Sequence, residues 1–257
     1  MRKLDCLQIS AAALLAPFLE WRLLLLSARL PVLLYVALCL CRGVLSPEAP
    51  LFLPPTGSDP IASLLWIVPA LMFEWRWMTG LWYGAGHHPV PTNQLSYIVL
   101  FSWVSLFWLL VDWAPQSIFL WIGDTPTARQ DILINAYKVT SIAVTLGTIW
   151  ATTRLTGWQA AVIDRGKTVP PGPNWHLTRQ HFWRLIGIGI LTVLPIILFG
   201  FALVLALTML PALTPMNRLA LQVVAALTVL YGYAVKAAIS LLVYRELRAR
   251  PDNLSIF

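Results

Sequence analysis

Residues 154–184 read RLTGWQAAVIDRGKTVPPGPNWHLTRQHFWR, and the orientation of the whole chain follows from this stretch. It holds five basic residues and one acid, and long apolar segments flank it on both sides. Short Lys- and Arg-rich loops stay in the cytoplasm during membrane insertion, so this loop marks the inner face.

Working outward, the composition agrees. Of 257 residues, 58% are hydrophobic and 11% charged, whereas a soluble domain averages about 25% charged. The mean hydropathy is +0.73. A span needs about 20 apolar residues, so six spans with their loops use nearly the whole chain and leave no room for a soluble catalytic domain. The expected fold is therefore all-α: a polytopic membrane helical bundle, one integral membrane domain over 1–257. Spans are expected near 23–45, 60–80, 95–113, 132–153, 182–210 and 219–244. Residues 1–22 read as an interfacial N-terminal helix, 154–184 as a cytoplasmic amphipathic elbow, and 245–257 as a cytoplasmic tail. The first 20 residues share the basic start and apolar middle of a signal peptide, but Pro17, Glu20, Trp21 and Arg22 stand where a mature chain would begin.

The basic residues test the map. With both termini inside, twelve of the eighteen fall on the cytoplasmic side and only Arg42, Arg129 and Arg218 outside. That bias fits six spans in a bacterial inner membrane. The net charge of +7 thus sits at span ends, as topology and anionic lipid require, and no basic stripe with interleaved aromatics points to nucleic acid. Nine of the thirteen tryptophans fall near span ends, where indole prefers the headgroup level.

The outer loops differ in character. Residues 46–60, SPEAPLFLPPTGSDP, hold five prolines, two acids and no basic residue, which predicts an extended cap. Residues 114–131, APQSIFLWIGDTPTARQD, offer a short apolar run suited to the outer interface. Within the fifth span, Pro195 predicts a kink, since an internal proline deletes a helical hydrogen bond.

Few residues invite chemistry. Cys6, Cys39 and Cys41 form no disulfide framework and read as packed thiols. His87, His88, His176 and His181 lack the i, i+4 spacing of a helical metal pair, and no carboxylate cluster completes a site. No metal and no cofactor are expected. Nucleophile-elbow, zinc-protease, Walker and dinucleotide motifs are all absent. The 80–84 stretch GLWYG matches G-x-x-x-G, with bulky residues between its glycines.

Two lysines stand inside spans, where a charge near the centre costs about 2.5–3.5 kcal/mol on the insertion scale. Lys138 lies about two turns from the outer end of the fourth span, Lys236 about two turns from the inner end of the sixth. Each either snorkels to its nearer interface or faces an acidic partner, a lipid phosphate or a polar cavity. By depth, Glu74 is the candidate partner for Lys236 and Asp112 the candidate for Lys138. On the elbow, Arg154, Arg179 and Arg184 are the candidate ligands for lipid phosphate.

Three segments carry a family resemblance. They are RLTGWQAAVIDRG (154–166), NWHLTRQHFWRLIGIGIL (174–191) and LLVYRELRAR (241–250). They resemble poorly characterised bacterial inner-membrane proteins that are similar to the membrane domain preceding the catalytic barrel of some glycerophosphoryl diester phosphodiesterases. The motif positions are Arg154 and Leu155; Trp175, Leu177, Thr178, Phe182, Trp183 and Arg184; and Tyr244, Arg245, Leu247 and Arg248. An earlier stretch, FEWRWMTGLWYG (73–84), is similar to a Trp-His-Arg segment of such proteins but lacks its histidine. The resemblance implies a helical membrane bundle. It implies no phosphodiesterase activity, which belongs to a soluble barrel absent from this sequence.

The sequence therefore predicts a non-catalytic accessory or scaffolding subunit. Its expected partners are phospholipids and a larger membrane complex or a homo-oligomer, and not nucleic acid. The alternative is a small transporter or lipid-handling carrier with a polar path past Lys138 and Lys236. An intramembrane enzyme ranks last, because no paired acid and base share one depth.

Overall fold

The computed structural model describes residues 5–45, 60–84, 171–208 and 215–249 and, with gaps, 135–165. The regular elements among these residues are helices. They are α1 (Cys6–Leu19), α2 (Trp21–Leu45), α3 (Pro60–Tyr83), α4 (Trp158–Arg165), α5 (Pro171–Arg179), α6 (Phe182–Thr208) and α7 (Pro215–Arg248). A further helical stretch ends at residue 155, just before α4. Three of the helices are long and apolar enough to cross a membrane, in α2 (Trp21–Cys41), α6 (Phe182–Ala202) and α7 (Leu219–Arg248). The third expected span lies outside the described residues, and so does part of the fourth.

Helix α7 is the mast of the bundle. Half of its spanning window is buried, against 17% for α2 and for α6. One core joins α2, α3 and α7 through Ala28, Tyr35, Phe73, Trp77, Ala234, Ala237 and Leu241. A second joins α1, α5, α6 and α7 through Ile9, Leu177, Leu185, Ile188, Val243 and Leu247. A chain rich in apolar residues gains little by packing them together in lipid, so close approach and van der Waals fit decide which faces meet. The alanines of α7 serve that end. So does Gly80 of α3, where an added Cβ would stand 3.1 Å from the Ser27 side chain of α2. The first glycine of the G-x-x-x-G match thus works inside the chain, between two of its own helices.

The helix directions follow from the contacts. Glu74 meets Lys236 and Trp82 meets Tyr244 at the same sequence offset of 162, so α3 and α7 run parallel. Helix α6 runs antiparallel to α7, with Leu185 beside Val243 and Leu247 at one end and Ile196 beside Tyr231 and Val235 further along. The start of α2 lies at the end of α3, where Leu23 and Ser27 surround Gly80. The ends of α3 and α7, the starts of α2 and α6, and the elbow therefore share one end of the bundle. Arg22, Arg154, Arg165, Arg179, Arg184, Arg245 and Arg248 gather there.

The N-terminal segment forms α1, capped by Asp5, whose carboxylate accepts from the Gln8 amide at 3.1 Å. It is apolar on both sides. Ile9, Ser10, Ala13 and Pro17 are buried, while Leu7, Leu15, Phe18 and Leu19 are exposed. Its buried side is tied to two neighbours. The Cys6 thiol donates to Arg184 O and the Ser10 hydroxyl to Ile188 O, and Tyr231 of α7 donates to Leu14 O at 2.8 Å. Helix α6 runs on through Pro195 to Thr208.

Candidate functional site

The bundle places one ion pair within its core. The Lys236 ammonium lies 3.1 Å from Glu74 Oε2, and the side chains are 42% and 3% exposed. Parallel packing of α3 and α7 brings the two together, and one turn later Trp77 Nε1 donates to the carbonyl of Ala234 at 3.1 Å. Lys236 also stands 5.8 Å from the centre of the Tyr233 ring. The second Glu74 oxygen is buried and accepts no hydrogen bond among the described residues. A charge pair in such surroundings gains through Coulomb attraction roughly what it loses through desolvation, but removing one partner strands the other at a cost of about 3–5 kcal/mol.

The elbow is fastened at the end of the same helices. The last turn of helix α4 carries Asp164, whose carboxylate accepts from the Tyr244 hydroxyl at 2.8 Å and pairs with Arg248 at 2.6 Å. Tyr83, closing α3, donates to the carbonyl of Ile163 at 2.7 Å. Arg245 lies 4.8 Å from the Trp82 ring centre and donates to Leu81 O. The ends of α3 and α7 thus close on one short helix. The chain enters α4 through Gly157, which has φ +90° and donates its amide to Ser240 Oγ at 3.1 Å. The left-handed region strains any residue with a Cβ, and here a glycine meets the requirement.

Helix α5 locks onto the preceding turn. Asn174 donates to the carbonyls of Arg154 and Thr156, and Thr178 donates to Arg154 O at 2.8 Å. These bonds satisfy carbonyls that a helix C-terminus would otherwise leave open. The entry into α6 is a turn, with the His181 amide on Thr178 O and the Arg184 and Leu185 amides on His181 O. The amphipathic elbow expected from the sequence is therefore built as two short helices and a tight corner.

The six phosphate and charge candidates on described residues fall into distinct environments. The Arg154 guanidinium sits 5.9, 5.6 and 5.5 Å from the ring centres of Trp150, Trp175 and Phe182. It donates to the Trp175 carbonyl at 3.4 Å, and the two indoles meet edge to face at 4.8 Å. Arg154 is thereby engaged inside the protein. Arg179 is exposed, and Arg184 is half-buried at the head of α6. Lys138 is exposed on its helical stretch, Lys236 and Glu74 are joined, and Asp112 lies outside the described residues. Sequence reading passed over Asp164, Asn174 and Ser240. Asp164 did leave a signal, as the single acid in a basic stretch of 31 residues.

Among the described residues no group of three His, Cys, Asp or Glu side chains is placed to hold a metal ion. No family model, no curated protein and no solved structure matches the chain.

Proposed function

We propose that this chain is a non-catalytic, six-span protein of the bacterial inner membrane, with both termini cytoplasmic, acting as an accessory or scaffolding subunit. Its inner-face elbow is the platform for a membrane partner, with phospholipid held at Arg179 and Arg184. Kinship with the membrane domain of glycerophosphoryl diester phosphodiesterases is part of the same proposal.

The observation that carries this reading is the fastening of Asp164 by Tyr244 and Arg248. It makes the elbow a rigid extension of the bundle, as a docking platform requires, where a gate would need freedom to swing. Parity supports six spans. The end of α3 and the start of α6 lie at the same end of the bundle, as two further spans between them require. The expected third and fourth spans supply two crossings. The cluster of arginines at that end supports its cytoplasmic placement.

Extraction in mild detergent followed by mass measurement of the native particle tests the reading. A larger particle of fixed stoichiometry supports it, and a lone monomer contradicts it. One observation favours the alternative of a small carrier: the buried Glu74 oxygen without a partner among the described residues. Solute flux in liposomes that ceases in Glu74→Gln would establish that alternative.

A further inference from the structure

Helix α6 presents two adjacent apolar stripes away from the bundle. Leu185, Ile188 and Thr192 turn inward. Trp183, Ile190 and Leu194 lie on one outward stripe, at spacings of seven and four that keep one helical face. Arg184, Leu191 and Leu198 follow on the stripe beside it. All the apolar members are exposed, Trp183 by 79%. From Trp183 to Leu194 the face runs about 16 Å, the depth of one leaflet of hydrocarbon. A guanidinium and an indole head it, and branched aliphatic residues continue it.

Among the described residues Arg179 and Arg184 form no ion pair, and Asp5, which stands next to Cys6 beside Arg184, accepts from the Gln8 amide at the cap of α1. From Arg165 to Arg245 the sequence contains no Asp or Glu. Asp164, the nearest acid before that stretch, is held by Arg248 and Tyr244. The face is also unlike those the protein uses for its own packing. Helix α7 meets its neighbours through Ala225, Ala226, Ala234, Ala237 and Ala238, and small residues are what close helix pairs in membranes use. Beyond Gly187, which lies near Cys6 of α1, the α6 stripes carry bulky aliphatic residues, which suits fluid acyl chains.

We infer that this face of α6 seats one anionic phospholipid of the inner leaflet, with its phosphate region at Arg179 and Arg184, its glycerol level at Trp183, and its chains along Ile190–Leu194 and Leu191–Leu198. The inference rests on the lipid-binding part of the proposed function and names the lipid class and its seat. It does not depend on the subunit role.

Native mass spectrometry of the delipidated full-length protein tests it, with phosphatidylglycerol and phosphatidylcholine of identical chains titrated separately. An arginine near an anionic surface contributes about fivefold, so phosphatidylglycerol adducts are expected at concentrations at least tenfold below phosphatidylcholine. The double variant Arg179→Gln/Arg184→Gln is expected to remove the preference. Neither side chain takes part in a hydrogen bond or ion pair among the described residues, and circular dichroism checks that the variant is folded. Trp183→Ala is expected to weaken both lipids. Equal binding of the two lipids, or a preference that survives the double variant, overturns the inference. So does a dimer that forms in place of lipid adducts and dissociates in Trp183→Ala, since a second copy would then occupy the face. The subunit reading is judged separately, from the mass of the particle extracted with its native partners.

Discussion

Glu74 and Lys236 stand 162 residues apart in sequence and 3.1 Å apart in space, joining two parallel helices of the bundle. Only the carboxylate is fully buried; the ammonium is 42% exposed. Lys236→Leu is expected to strand Glu74 in the core, destabilising the fold by about 3–5 kcal/mol. Folding yield and the thermal midpoint in detergent should both fall. Adding Glu74→Gln should recover most of the loss, because the pair as a unit contributes little net stability. An unchanged midpoint in the single variant would mean the pair is not part of the folded core.

Asp164→Asn tests the fastening of the elbow. It removes a charge-assisted bond to Arg248 and weakens the one from Tyr244. Arg248 is 45% exposed, so solvent screens the pair, and the expected loss is about 1–2 kcal/mol. It should appear as faster hydrogen exchange confined to α4, with the core of α7 unaffected. Uniform loss of protection across the bundle would contradict a local fastener.

Arg154→Lys is expected to fail as a conservative change. A lysine keeps the charge but not the planar guanidinium beside Trp150, Trp175 and Phe182, and contacts of this kind are worth about 0.5–2 kcal/mol each, more as they are desolvated. The measured midpoint should lie near that of Arg154→Ala. Lipid adducts should persist in both variants. Loss of adducts without loss of stability would return Arg154 to the phosphate-binding role that the sequence first indicates.

Much of this architecture was legible in the residues. Apolar runs located α2, α3, α6 and α7 to within a few residues, because twenty consecutive apolar positions have few other uses. Matching depth pointed to Glu74 for Lys236. The elbow's internal structure was not legible. Its bonds run from Asn174 and Thr178 to main-chain carbonyls of 154 and 156, and a carbonyl carries no sequence signal. Arg154, Arg179 and Arg184 look alike in sequence, and only the rings around the first set it apart. The apolar outer side of α1 was also hidden, since its pattern does not distinguish contact with protein from contact with lipid.

Two glycines are constrained, Gly80 by a close neighbour and Gly157 by its backbone. Gly80→Val should drive a branched side chain into Ser27, which already lies 3.1 Å from the Cβ position. Gly157→Ala should strain the left-handed turn at φ +90° by about 1–2 kcal/mol. Both should lower the thermal midpoint, and Ser27→Gly should partly rescue Gly80→Val alone. Rescue of both, or of neither, would place the Gly80 strain elsewhere.

The platform reading has one direct test. His176 is exposed on α5, next to the fastened corner of the elbow. A photo-crosslinking residue at position 176, activated in living cells, should yield one protein adduct of defined mass, diminished when Asp164→Asn loosens α4. Crosslinks to lipid alone, or an intact unmodified monomer, would contradict the claim that the elbow docks a membrane partner.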